Sequence, residues 1–209
     1  MGIAIQKLVY HLSRDKEHGF EVFMENIFPN LSSTKDFKLM ISELNTDHHL
    51  AGTFKRSSGK TCALIGYALW KAITVPNYNI VFVSSMNGIK DMDMEMLMSL
   101  AHKWDIPVLR ELKGNLRFSN NSRVFFGTSW STKYLRGNRY DELLIDEAGM
   151  ADKSSIQDLL YAVHGKIVSF TTFVGASDNI HSYFVTRAKI YPDTNMSVVV
   201  GDFDYYART

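Results

Sequence analysis

The sequence predicts an α/β domain built on a mostly parallel sheet covered by helices on both faces. Three observations carry this. Apolar runs of strand length alternate with longer segments at helical spacing, the order that a parallel sheet imposes. The runs are near-continuous rather than alternating, as in strands buried on both sides. The 209 residues, 45% hydrophobic and 22% charged, suffice for one domain with a substantial core.

Taken in order, residues 17–28, EHGFEVFMENIF, put Phe20, Phe23, Met24, Ile27 and Phe28 on one helical face, and Pro29 ends the helix. A second helix starts near Thr34, with Ser33 or Thr34 as cap and Phe37, Met40, Ile41 and Leu44 inward. Residues 1–46 thus form an N-terminal helical layer on a core spanning 47–209. HHLAGTF (48–54) is a short buried strand and 59–73 a helix. YNIVFVSS (78–85) is a second strand, and 87–104 a methionine-rich helix. Met86, Met92, Met94, Met96 and Met98 read as packing residues. LRFSNNSRVFFGT (116–128) is a hairpin turning at Asn120-Asn121-Ser122. YDELLID (140–146) is a strand, and 153–164 a helix capped by Ser154 or Asp152. KIVSFTTFVGA (166–176) is a strand, 178–191 a helix, and NMSVVVGDF (195–203) the last strand.

Composition narrows the function classes. Lys plus Arg total 23 against 22 Asp plus Glu, so net charge drives the chain to neither nucleic acid nor membrane. No run of about 18 apolar residues offers a membrane span. One cysteine, Cys62, excludes an internal disulfide and reads as a small buried residue. An intracellular soluble protein is expected. Charge is uneven, however. Residues 101–140 hold Lys103, Arg110, Lys113, Arg117, Arg123, Lys133, Arg136 and Arg139 against Asp105 and Glu111. This basic stretch is a candidate for DNA phosphates or a solvated hairpin surface, without the interleaved aromatics that single strands require. His48 and His49, with no Cys or carboxylate at metal-ligand spacing, read as structural.

The chemistry begins at FKRSSGKTCA (54–63). A strand, a tight loop and a helix joined at Gly-Lys-Thr is the geometry that a triphosphate needs, because backbone N–H groups at a helix start face the phosphates. Residues Lys55, Arg56, Ser57, Ser58, Gly59, Lys60, Thr61 and Cys62 are the candidate nucleotide-binding loop. Lys60 would contact the β- and γ-phosphates and Thr61 would ligate Mg²⁺. Phe54 stands where the usual G-x-x-x-x-G-K-[ST] pattern has its first glycine. About 85 residues on, LLIDEA (143–148) is an apolar strand ending in acids. Asp146 is the second candidate Mg²⁺ ligand, and Glu147 the candidate base for an attacking water. Strands inserted between the two motifs mean the acidic strand need not neighbour the loop strand, an arrangement typical of RecA-like P-loop ATPases.

KRSSGKT, with Arg56, Gly59, Lys60 and Thr61, resembles the loop of large terminase subunits, the DNA-packaging ATPases of tailed bacteriophages. YLRGNRYDELLIDEA (134–148) is similar to that family's Arg-Gly and Walker B pattern. IVSFTTFVGASDNIHSYF (167–184) is similar to its coupling motif, with Thr171, Thr172 and Gly175 in place and Phe173-Val174 replacing the commoner Pro-x. The resemblance spans about residues 34–190. It implies ATP and Mg²⁺ as cofactors and Glu147, Arg56 and Lys60 as catalytic residues. It makes Arg56 a cis-acting finger, unless Arg56 merely orders the loop through an ion pair. Arg136 and Arg139 are rival trans fingers, unless they pair with Asp141 or Glu142. Thr171 and Thr172 would sense the γ-phosphate. The implied partners are double-stranded DNA, a portal protein and a small terminase subunit. A monomer is expected in isolation and a ring on the capsid, in the host cytoplasm and without membrane contact.

The family's adenine-reading glutamine has no counterpart in DFKLMI (36–41), and Gln6 lies too far upstream. A ribonuclease-H-like nuclease half is expected to be missing from this chain, with Asp202 and Asp204 at a surface strand end. The competing readings are a helicase-type RecA-like fragment, since GKT and DEAG also resemble helicase motifs, and a nucleotide-dependent assembly module with little turnover.

Overall fold

The computed structural model describes residues 12, 14–15, 18–111, 114–135, 137–172, 179–190 and 195–201. Its helices are α1 (Gly19–Ile27), α2 (Lys35–Leu44), α3 (Lys60–Thr74), α4 (Asn87–Lys103), α5 (Lys153–Leu160) and α6 (Ile180–Ile190). Its strands are β1 (His49–Thr53), β2 (Asn79–Ser84), β3 (Val108–Glu111), β4 (Asn115–Phe118), β5 (Arg123–Thr128), β6 (Glu142–Ile145), β7 (Ile167–Thr171) and β8 (Met196–Val200). Short 3₁₀ turns at Thr132–Tyr134 and Ala148–Met150 follow β5 and β6.

The eight strands form one sheet in the order β3-β4-β5-β2-β6-β7-β1-β8. From β5 to β8 every pairing is parallel, so all these strands end at one edge. β7 lies between β1 and β6, so the loop strand and the acidic strand are not neighbours, as the inserted strands imply. The 116–128 segment is the expected hairpin, antiparallel with Arg117 opposite Arg123. β3 was not expected. Its four residues, Val-Leu-Arg-Glu, are too few and too mixed to stand out, and pairing with β4 defines them.

Alternating side chains split the core. Leu50, Phe54, Ile80, Phe82, Leu144, Val168 and Phe170 face α1 to α4. Ala51, Val81, Val83, Leu143 and Ile145 face α5 and α6. The N-terminal helices pack directly on α3: Phe20 meets Tyr67 edge-on at 5.5 Å, and Phe23 lies 5.1 Å from Trp70. Thr34 caps α2 through Oγ1 to the Phe37 amide, and Asp152 caps α5 through the Ser155 amide. Of the methionines, Met94 is enclosed, whereas Met86 and Met92 are exposed, so the packing reading fails for those two.

Polar bolts join these layers. The Lys166 ammonium at the start of β7 donates to the carbonyls of Leu44 (2.8 Å) and Thr46 (2.6 Å), closing the end of α2. His49 Nδ1 accepts from the Ile167 amide at 3.0 Å, the structural role expected of it. His181, fully buried at the start of α6, joins Thr53 Oγ1 on β1 (3.0 Å) and Ser169 Oγ on β7 (2.9 Å). Burial lowers its pKa to about 4, so the ring is neutral at pH 7.

Between pH 6.5 and 4 the unfolded chain takes a proton on His181 and the folded chain does not, so stability falls as pH falls through that window. Comparing wild type with His181→Gln by thermal unfolding from pH 7.5 to 4 should show the wild type losing on the order of 3 kcal/mol relative to the variant. A gap that stays constant with pH would contradict a buried neutral imidazole.

Candidate functional site

The described ends of β1, β6 and β7 converge on one edge of the sheet, and the residues singled out by the motifs meet there. Phe54 leaves β1 with its amide bonded to the Thr171 carbonyl at 3.0 Å. The loop then turns through Ser57 at φ 60° and Gly59 at φ 91°, and α3 begins at Lys60. A Cβ on Gly59 would sit 3.0 Å from the Phe37 ring in a backbone region that disfavours side chains, so glycine is required twice over.

Phe54 itself is fully buried and stacks edge-on against Phe170 at 5.3 Å. A Cβ on Gly52 would come within 2.5 Å of the Phe54 ring, and one on Gly201 equally close. The position that usually holds a glycine here anchors the loop to the core, and glycines on β1 and after β8 make room for it. Sequence spacing alone carried no signal of this exchange.

Lys60 is buried. Its Nζ donates to the Lys55 carbonyl at 3.3 Å and lies 3.7 Å from Glu147 Oε1. Thr61 Oγ1 donates to Asp146 Oδ2 at 2.6 Å. Burial raises the Asp146 pKa to about 6, against the Thr61 hydrogen bond that lowers it. Glu147 occupies left-handed backbone at φ 50°, a strained setting for a non-glycine residue. Its carboxylate accepts from the Thr172 hydroxyl (2.9 Å) and amide (3.3 Å). Thr171 Oγ1 accepts from the Gly149 amide at 3.1 Å. Lys60, Thr61, Asp146, Glu147, Thr171 and Thr172 are therefore one cluster.

Other candidates fall differently. Arg56 is exposed, and in the same loop Lys55 lies 4.0 Å from Asp36. Cys62 is half-buried rather than enclosed. Arg136, Gly175, Lys113, Gln6, Asp202 and Asp204 lie outside the described residues. Arg139 is exposed and pairs with neither acid weighed for it. Asp141 accepts from the Asn79 amide, and Glu142 is held by Tyr67 and Lys71. Cations on β3 to β5 are ion-paired: Arg110 to Glu95, and Arg117 and Arg123 to Glu111. Within the basic stretch, read as lacking the interleaved aromatics that single strands require, Trp130 and Tyr134 are exposed beyond β5.

One buried polar pair escaped the motif search. Asp93, on α4, accepts from Ser84 Oγ at 2.5 Å at the end of β2. Burial raises the Asp93 pKa to about 7. Neither residue belongs to a motif, because only tertiary packing brings α4 against the end of β2.

The oxygen donors Thr61 and Asp146 fit Mg²⁺, which takes one or two carboxylates and keeps water and phosphate as its other ligands. Among the described residues no group of three or more His, Cys, Asp or Glu could hold a metal. No helix among them is long and apolar enough to cross a membrane.

No family profile and no curated relative matches the chain. Solved structures do. The HK97 bacteriophage large terminase superposes with a TM-score of 0.66 over 79% of this chain and 38% of its own, at 17% identity. The large terminase of a thermophilic bacteriophage, solved with ADP, gives 0.63 over 84% of this chain and 47% of its own, at 13% identity. A DEAD box protein of Methanococcus jannaschii gives 0.58 over 88% and 54%, at 14% identity. The chain thus spans less than half the length of these terminases, and it has the fold that their ATPase portions share with RecA-like ATPases.

Phe54→Gly restores the commoner motif residue yet should destabilise the fold by about 3–5 kcal/mol, the cost of emptying a buried phenyl site. Phe54→Leu should cost much less. Denaturant unfolding of both variants checks this, and a neutral Phe54→Gly would mean the ring does not anchor the loop.

Proposed function

We propose that this chain is the ATPase unit of a viral DNA-packaging motor of the large terminase type, coupling Mg²⁺-dependent ATP hydrolysis to movement of double-stranded DNA. The observation that carries the ATPase reading is the cluster joining Lys60 and Thr61 on α3 to Asp146 and Glu147 beyond β6. The terminase assignment rests on the loop arginine and on the likeness of fold. The loop arginine is also what favours packaging over the helicase reading.

In this reading Lys60 shifts from the Lys55 carbonyl and Glu147 to the β- and γ-phosphates. That frees the Glu147 carboxylate to take a proton from the attacking water. Thr61 and Asp146 would hold Mg²⁺, which neutralises phosphate charge when bound. The Thr172 hydroxyl and amide keep Glu147 aimed, so loss of the γ-phosphate would be felt at the end of β7. Arg56, exposed on the loop, would swing to the transferring phosphoryl as a cis finger, a role worth on the order of 10³–10⁵ in rate in other phosphoryl-transfer enzymes. The portal, a small terminase subunit and assembly into a ring belong to the same proposal, as does a place in the host cytoplasm.

Fluorescent nucleotide binding and single-turnover hydrolysis test these roles. Lys60→Ala should lose both. Glu147→Gln should still bind Mg·ATP while hydrolysis falls about 10²–10⁴-fold. Wild-type affinity in Lys60→Ala would sink the loop assignment, and normal turnover in Glu147→Gln would move the base elsewhere. Arg56→Ala should lower kcat far more than it raises KM, even in a monomer. An Arg56→Ala monomer as fast as wild type would reject the cis role.

A further inference from the structure

We infer that the loop between β5 and β6 is a single-stranded nucleic-acid contact, in which Trp130 and Tyr134 stack on unpaired bases while Lys133 and Arg139 meet phosphates. The setting rests on the DNA-motor reading. The contact itself stands on separate observations.

The first is exposure. Trp130 is 73% exposed and Tyr134 72%, whereas Trp70 is buried and Trp104 half-buried. Large aromatics left in water at such a level mark a surface that meets something. The second is that the described residues around Trp130 and Tyr134 are held in place. Ser131 Oγ takes the Thr128 amide at 3.0 Å, and Thr132 Oγ1 donates to the Ser155 carbonyl at 2.9 Å. Leu135 is buried, and its carbonyl accepts from the buried Tyr140 hydroxyl at 2.7 Å. The two rings are therefore presented on a fixed frame, which lowers the ordering cost of binding.

The third is charge. Residues 129–140 contain no Asp or Glu. Lys133 Nζ lies over the Tyr134 ring, 5.1 Å from its centre, so the cation covers one face and the opposite face is the one for a base. Lys133 and Arg139 are exposed, and among the described residues neither is paired with an acid. Asp141 and Glu142, next along the chain, are turned to Asn79 and to Tyr67 and Lys71. Aromatic faces beside unpaired cations suit bases and phosphates together. A contact between copies would favour a charge-depleted centre, and a closed duplex hides the base faces that the rings would cover. The loop leaves β5 at the sheet edge where Asp146 and Glu147 also lie, with only β2 between β5 and β6.

The test uses fluorescein-labelled oligo-dT with the wild-type chain, without nucleotide. The expected result is saturable binding that weakens with salt and quenches intrinsic fluorescence, since Trp130 is the exposed tryptophan. Trp130→Ala and Tyr134→Ala should each weaken binding roughly five- to a hundredfold. Trp130→Phe should keep most of the affinity and lose the quenching. Lys133→Ala and Arg139→Ala should each flatten the salt dependence by about 0.7 in log–log slope. No oligo-dT binding, binding untouched by Trp130→Ala, or equal binding of a duplex without quenching would each overturn the inference. So would a Trp130-dependent dimer in sedimentation that ignores oligo-dT. Binding of a fluorescent ADP is read on the same preparations. A chain that binds oligo-dT in this way but no ADP would uphold the loop contact and overturn the ATPase reading.

Discussion

A buried ammonium must be met by oxygen, and Lys60 is met from two directions. One partner is the Lys55 carbonyl in its own loop, and the other is Glu147, beyond a strand that does not touch β1 in the sheet. The Thr61–Asp146 hydrogen bond spans the same gap. These two links close the sheet edge over the end of β7 and set the distance between Lys60 and the Glu147 carboxylate, the proposed phosphate grip and base. The geometry of Gly59, the anchoring of Phe54 and the strained backbone of Glu147 all serve that closure. In the proposed reading the lysine's partner is the base, so phosphate arrival and base release would be one exchange.

The strand in the gap is tied on both sides. Thr171 and Thr172 at its end hold the backbone after Asp146 and the carboxylate of Glu147. His181 fastens its middle to β1 and to α6, and Lys166 fastens its start to α2. Hydrogen bonds thus connect Glu147 to β7, and β7 to α6 on one face and α2 on the other. The neutral state of His181 matters here, since a hydrogen bond to each side lets one ring nitrogen donate while the other accepts.

Much of this was legible in the sequence. The apolar runs marked β1, β2, β6, β7 and β8 directly, and the hairpin pattern marked β4 and β5, which leaves β3. Gly-Lys-Thr and Asp-Glu named both halves of the site, and the strands inserted between them implied that those halves sit on separated strands. What was not legible is set by tertiary packing. Phe54 looked like a motif defect because the glycines that accommodate it lie at 52 and 201, one near and one far in the chain. His181 and Asp93 are ordinary helix residues until strands from elsewhere supply their partners. Trp130 and Tyr134 belong to no periodic pattern, and only the fixed turn around Thr132 shows that they point outward.

The fold is shared with terminase ATPase portions and with a DEAD box protein, so the proposed nucleotide site rests on the cluster at Lys60 and Glu147 and not on the fold alone. Hydrogen exchange of the wild-type chain, with and without ATP-γ-S and Mg²⁺, reads that cluster directly. The expected result is saturable protection of amides in 56–63 and 146–149 together with 171–172, stronger with Mg²⁺ than without. Protection confined to other segments, or none at saturating nucleotide, would contradict the assignment of this edge as the phosphate site.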